Sequence, residues 1–148
     1  MPDLIKREWD YAIRLCAYMA GNYNKGHINL THASKMLFLT RPILNKVVFQ
    51  LRGKGILDSV QGKYGGIFLK VDPEKLSIYD ILQAMGYNSN LNECVKKHVS
   101  CPLIRQCQVH LFFVEQEMNL TEAFKAKKLS ELAFSDADLI GGQKTGIS

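Results

Sequence analysis

A chain of 148 residues, 47% hydrophobic and 22% charged, can bury the core of one domain with an appendage and still keep a polar surface. No apolar run approaches the ~20 residues that a membrane helix needs. The opening Met1-Pro2-Asp3-Leu4 lacks the charged-then-apolar pattern of a secretory leader, so a cytoplasmic location is expected. The net charge of +5 is unevenly spread: residues 25–75 hold nine Lys/Arg against three Asp/Glu, whereas residues 76–148 hold seven against eight. Positive charge concentrated in one stretch favours a polyanion through counterion release from phosphates; a solvated basic face is the plainer alternative.

In chain order, residues 3–22 are predicted as a helix capped by Asp3, with Tyr11, Ala12, Leu15, Cys16 and Met19 at helical spacing. A turn over residues 21–26 leads to a short helix from Leu30 to Met36. Thr40 is a suitable cap and Pro42 a suitable first-turn residue for the next helix, which runs to about Lys54 and buries Ile43, Leu44, Val47, Val48 and Leu51. Two β-rich runs, residues 56–60 and 67–71, flank Gln61-Gly62-Lys63-Tyr64-Gly65-Gly66 and read as a hairpin. Ser77 caps a helix through Met85. Residues 86–101 have no clear period, and a long helix is expected from about Pro102 to Lys125. Within it, Val109 to Val114 is apolar almost all round and must be covered on more than one side, which in so small a protein points to a second copy of the chain. Leu129 to Phe134 reads as a last turn, and 135–148 as a frayed tail.

Helix, helix, helix, hairpin describes a winged helix-turn-helix, mainly α with a small β wing, followed by a long C-terminal dimerisation helix. The expected organisation is a DNA-binding domain over 1–85, a cysteine loop over 86–107, a dimerisation helix and closing segment over 102–134, and a disordered tail over 135–148. In such a fold the second helix of the pair enters the major groove. Thr40, Arg41, Pro42, Asn45 and Lys46 lie on its first turns, and Gln61, Lys63 and Tyr64 lie at the wing tip, so these eight are the candidate contacts to double-stranded DNA. The sequence contains no nucleophile elbow, phosphate loop or paired carboxylates placed for acid–base work, so neither an enzyme nor a small-molecule substrate is expected.

Three of the four cysteines fall within fourteen residues, spaced Cys94-x6-Cys101-x5-Cys107. In a reducing compartment such a cluster suits a metal or redox site better than a disulfide framework. Iron–sulfur clusters ordinarily take four ligands, and three Cys with one His also suit structural zinc. His110 lies three residues after Cys107, close to one helical turn, so it can face the same side; it could equally be a hydrogen-bonded core histidine. Asp10 stands four residues before Arg14, the spacing of an ordinary surface pair. His98 lies between two of the cysteines and reads as a solvated loop residue. Cys16 reads as a small buried apolar residue.

These motifs resemble the bacterial regulators typified by the IscR and NsrR repressors. The resemblance runs from about residue 8 to 134 and is carried by Asp10-Tyr11-Ala12-Ile13-Arg14, Leu51-Arg52-Gly53-Lys54-Gly55-Ile56-Leu57, the wing Ser59 to Leu69, Asp72-Pro73, Leu76 to Ala84, the ordered cysteines, and Leu129-Ser130-Glu131-Leu132. It implies a homodimer that crosses its long helices and reads a pseudo-palindromic operator. It also implies a repressor whose DNA affinity is set by an iron–sulfur cluster sensing redox state, nitric oxide or iron status. Cys94, Cys101 and Cys107 would hold the cluster. His110 matches the histidine ligand of IscR-like proteins and would favour [2Fe–2S]; Asp10 matches the carboxylate of NsrR-like proteins and would fit [4Fe–4S]. Two departures stand out: Gln61 occupies the place of a wing arginine in many relatives, and Asn45 and Lys46 give the recognition helix its own reading surface. The alternatives are a regulator of the same fold that uses zinc or reversible thiol oxidation, and an interaction module without DNA binding.

Overall fold

The structure, a computed structural model, describes residues 4–88, 90–91, 95 and 101–144. Its elements are α1 (Arg7–Ala20), α2 (Leu30–Leu37), α3 (Arg41–Gly53), β1 (Leu57–Val60), β2 (Gly66–Leu69), α4 (Ile78–Ala84), α5 (Gln108–Ala126), a 3-10 turn (Leu129–Leu132) and α6 (Asp136–Lys144). The fold is mainly α with a small antiparallel β wing.

The core forms where the apolar stripes of α1, α3 and α4 meet the inner face of the hairpin. Trp9, Ala12, Leu15, Cys16 and Met19 of α1 are buried against Leu44, Val47 and Leu51 of α3 and Ile81 and Leu82 of α4. Ile43 of α3, expected inside, is 37% exposed because it lies at the edge of the stripe. In the hairpin Leu57 pairs with Leu69 and Ser59 with Ile67, which puts Leu57, Ile67 and Leu69 on the core face. The indole Nε1 of Trp9 donates to the carbonyl of Met85 at 3.1 Å, so the largest core side chain also carries a satisfied polar atom.

Several boundaries differ from those expected. Asp3 lies outside the described residues, and α1 starts at Arg7 with Lys6 at its cap position. Thr40 sits at the cap position of α3 but its side chain makes no capping bond, whereas Asn29 caps α2 by accepting from the backbone of Thr31 and His32. The long helix begins at Gln108 rather than near Pro102. Residues 101–106 close tight turns, with Ile104 N–H on Cys101 and Gln106 N–H on Leu103, and these three-residue loops displace the helical ladder. The expected disordered tail instead contains helix α6 over Asp136–Lys144. The correction has a local cause: Ser135 N–H and Oγ both donate to Asp138, and Asp136 and Asp138 place negative charge at the helix start.

Candidate nucleic-acid interface and cysteine segment

The helix-turn-helix is α2 and α3, and the wing is docked rigidly onto it. Ile28 and Ile67 exchange two backbone hydrogen bonds of 2.8 Å, which adds a third, one-residue rung to the hairpin. Gly66 is required by that approach, because a Cβ there would overlap the Ile28 carbonyl. His27 Nε2 donates to the Tyr64 carbonyl at 2.5 Å and pins the wing tip as well. The glycine pair of the wing is therefore explained by close backbone packing.

Every candidate DNA contact is solvent-exposed: Thr40, Arg41, Pro42, Asn45 and Lys46 on the recognition helix, and Gln61, Lys63 and Tyr64 on the wing. Arg41 donates from Nη1 to Thr31 Oγ1 at 2.7 Å, so its guanidinium is preset by α2. Lys46 is engaged with Glu8 of α1 at 2.9 Å. Lys63 lies 5.6 Å from the ring centre of Tyr64. Between α3 and the wing runs a cleft of about 270 Å³ whose lining includes Arg41, Arg52, Asn29, Ser59 and Gln61. Arg52, Asn29 and Ser59 were not singled out from sequence. Arg52 stands in a stretch that carried the family resemblance, but nothing in the sequence alone showed that it comes to stand beside the wing. The arrangement offers two guanidinium groups and several amide and hydroxyl donors to a phosphate backbone, with Asp58 3.7 Å from Arg52 as the nearest opposing charge.

Two of the three clustered cysteines, Cys101 and Cys107, precede and cap α5. Cys94 and His98 lie outside the described residues. Cys101 is an exposed free thiol, and Cys107 is a half-buried free thiol at the cap position of α5. His110 is one turn further on, and its Nδ1 is buried without a hydrogen-bond partner. An orphaned buried nitrogen carries a desolvation cost unless something binds it. Two thiols and an unpartnered imidazole are the donor types that iron–sulfur clusters and zinc both take, so the residues fit such a group in kind. Among the described residues, no three His, Cys, Asp or Glu side chains converge on one point. Asp10 is paired with Arg14 at 3.0 Å and is partly exposed, so the surface pair foreseen from its spacing is present. It also borders a hollow of about 390 Å³ with Arg7, Ile13, Leu82 and Phe124, open on the α5 side of α1. Cys16 is wholly buried, and burial pushes its thiol up to about 12, which makes it inert.

The segment leading into the cysteines is tethered at both flanks. The ring of Tyr87 packs edge-on between Trp9 of α1, at 5.2 Å, and Phe124 of α5, at 6.0 Å. Glu117 of α5 accepts the backbone N–H of Leu91 at 3.0 Å. Burial first, then the nearby Glu117 carboxylate, raises the Tyr87 phenol above its ordinary value. α5 itself buries no residue, and Val109, Leu111, Phe112 and Met118 are each more than half exposed.

A helix-turn-helix with a rigid wing and a basic cleft between them defines the class of winged-helix DNA-binding proteins. Among such proteins, the Rrf2 family, described as iron-dependent transcriptional regulators, matches residues 5–135, and the chain belongs to that family. It is a DNA-binding transcription regulator and not an enzyme. It is 23% identical over 131 residues to the regulator NsrR of Shouchella clausii, spanning 88% of each chain. Its fold is shared by the structure of CymR, the global cysteine regulator of B. subtilis, with a TM-score of 0.74 and 21% identity over 90% of this chain and 97% of that one. IscR of T. potens superposes with a TM-score of 0.66 and 18% identity, covering 97% and 90%. Among the described residues, no helix is long and apolar enough to cross a membrane.

Proposed function

We propose that this regulator works as a homodimer on a pseudo-palindromic operator, and that its DNA affinity is set by an iron–sulfur cluster held by Cys94, Cys101 and Cys107. The observation that carries the reading is the His110 imidazole one helical turn after Cys107, the cap residue of α5, with its Nδ1 buried and unpartnered. His110 or Asp10 supplies the fourth ligand, and the former needs no partner to be displaced. Asp10 would first have to leave Arg14. When bound, the cluster supplies a centre that reacts with oxidants or nitric oxide. The chain's own residues do the rest. Tyr87, clamped between Trp9 and Phe124, and Glu117, bonded to Leu91, tie the cysteine segment to both α1 and α5. Order in that segment would therefore fix α5 against the winged helix. α5 buries no residue of its own, which supports its use as the dimer contact. On the DNA side, Arg41 and Asn45 read base edges. Thr40, Lys46, Lys63 and Tyr64 position the phosphate backbone, with the helix start at Pro42 and the wing residue Gln61 between them. A signal shifts such an equilibrium only by its different affinity for the two states.

The exposed thiol of Cys101 favours a second reading, a regulator of the same fold that uses zinc or reversible cysteine oxidation. One preparation separates them. Protein purified without oxygen should be brown and contain iron and sulfide, and should bind its operator with different affinity after the cluster is removed. A colourless protein with stoichiometric zinc, or one without metal, replaces the cluster with the second reading. Equal affinity of loaded and stripped protein removes the sensing role altogether.

A further inference from the structure

The residues after the 3-10 turn fold back onto the C-terminal end of α1 and onto α2, and the contact is built rather than incidental. Phe134 N–H donates to the carbonyl of Ala17 at 3.3 Å, and the Phe134 ring packs 5.7 Å from the Tyr18 ring. Gly21 is required beneath it, because a Cβ would overlap the Phe134 carbonyl. One residue then joins three elements. Asp136, the first residue of α6, accepts from the Tyr18 hydroxyl of α1 at 2.5 Å through Oδ1 and from His32 Nε2 of α2 at 2.8 Å through Oδ2. His32 is preceded by Thr31, the residue that holds the Arg41 guanidinium at 2.7 Å. Two short polar contacts on neighbouring residues of α2, Asp136 on His32 and Arg41 on Thr31, therefore link the C-terminal segment to the head of the recognition helix.

We propose that Asp136 is a positioning residue for DNA recognition: it clasps the C-terminal segment onto α1 and α2 and thereby fixes the Thr31–Arg41 pair that presents Arg41 to the major groove. Partial burial acts to raise the Asp136 carboxyl, but the hydrogen bonds from Tyr18 and His32 and the charge of His32 outweigh it and hold the group below its usual value, as a clasped carboxylate should be. Tyr18 responds in the opposite sense, raised by burial and by Asp136. The clasp lies far in sequence from the cysteines and rests on the proposed reading of base edges by Arg41, not on the cysteine site, so it stands or falls separately from the cluster.

The test compares two duplexes, one selected in vitro with wild-type protein and one of random sequence at low salt. Asp136→Ala and His32→Ala should each weaken binding to the selected duplex about 10-fold, the scale of a lost bond to a charged group. Binding to random duplex, which rests on phosphate contacts, should change by less than about 2-fold. The double variant should be no weaker than Asp136→Ala alone, because that substitution already removes the contact with His32, and Thr31→Val should reproduce the selective loss. Metal content is assayed in every preparation, so a change in the cysteine site is seen directly. His32 is half exposed, so its variant folds even if the Asp136 variant does not, and it decides the matter alone. Selected-duplex affinity at the wild-type level in His32→Ala, or an equal loss on both duplexes, overturns the proposal.

Discussion

Helices α1 and α5 are both long and both rich in apolar residues, yet they end in opposite situations. Of the fourteen residues of α1, eight are buried, while none of the nineteen residues of α5 is. The first is packed on all the sides its stripe requires within one chain. The second presents Val109, Leu111, Phe112 and Met118 to the outside. Apolar composition alone thus does not place a helix in a core; what matters is whether the same chain supplies the surface to cover it.

The sharpest way to break this contrast is a matched pair of truncations. Leu51→Ala, in the centre of the winged-helix core, should cost about 2–5 kcal/mol of unfolding free energy in urea, whereas Phe112→Ala should leave the monomer's own stability within about 0.5 kcal/mol. Phe112→Asp carries the comparison to assembly. If α5 is the dimer contact, sedimentation equilibrium should show monomer for this variant at concentrations where the wild type is dimeric, with the fold intact by circular dichroism.

On the DNA side, Arg41→Ala should lose about 1–3 kcal/mol of specific binding, and Lys63→Ala should instead lower the salt dependence by about one counterion with little change in sequence preference. Titrations at several salt concentrations separate the two. A smaller effect concerns acid stability. The Asp136 carboxyl is depressed in the folded state, so its contribution is present in full above the unfolded carboxylate value of about 3.9 and is lost as pH falls through the lower folded value. Urea midpoints followed from neutral to acidic pH should fall more steeply for wild type than for Asp136→Asn. The smallest expected change is Asp10→Asn, which removes an exposed pair with Arg14 worth about 0.3–0.5 kcal/mol. Any large loss of a bound cluster in that variant would then report ligation rather than instability.

Much of this was legible in the residues. The periodicity of α1, that of α3 apart from Ile43 at the edge of its stripe, and the glycine pair of the wing each state their environment locally, and the structure agrees with them; the apolar stretch of α5 stands largely exposed in the single chain. What escaped had no local signal. Arg52 comes to line the wing cleft only because α3 packs against β1. The tail reads as polar and weakly patterned until Tyr18 and His32, more than a hundred residues earlier, are seen to hold Asp136. The late start of α5 follows from tight turns at residues 101–106 that no helical propensity anticipates. The proposed ligand set is legible as a spacing and as a family likeness, but its fourth member is a question of three-dimensional proximity, which spacing does not answer.

The two bonds between Ile28 and Ile67 tie the wing to the turn before α2, and α3 packs against both α2 and β1, so wing and recognition helix form a single reading head. In a dimer of this chain, a signal that acts between the protomers therefore has little purchase on which bases each head prefers. It acts on the distance and rotational phase between two fixed heads, which on B-form DNA stand about 34–36 Å apart for each helical turn of separation. Adding or deleting one base pair in the operator's centre would rotate one half-site out of phase with the other, and so mimic with DNA alone what the signal does through protein.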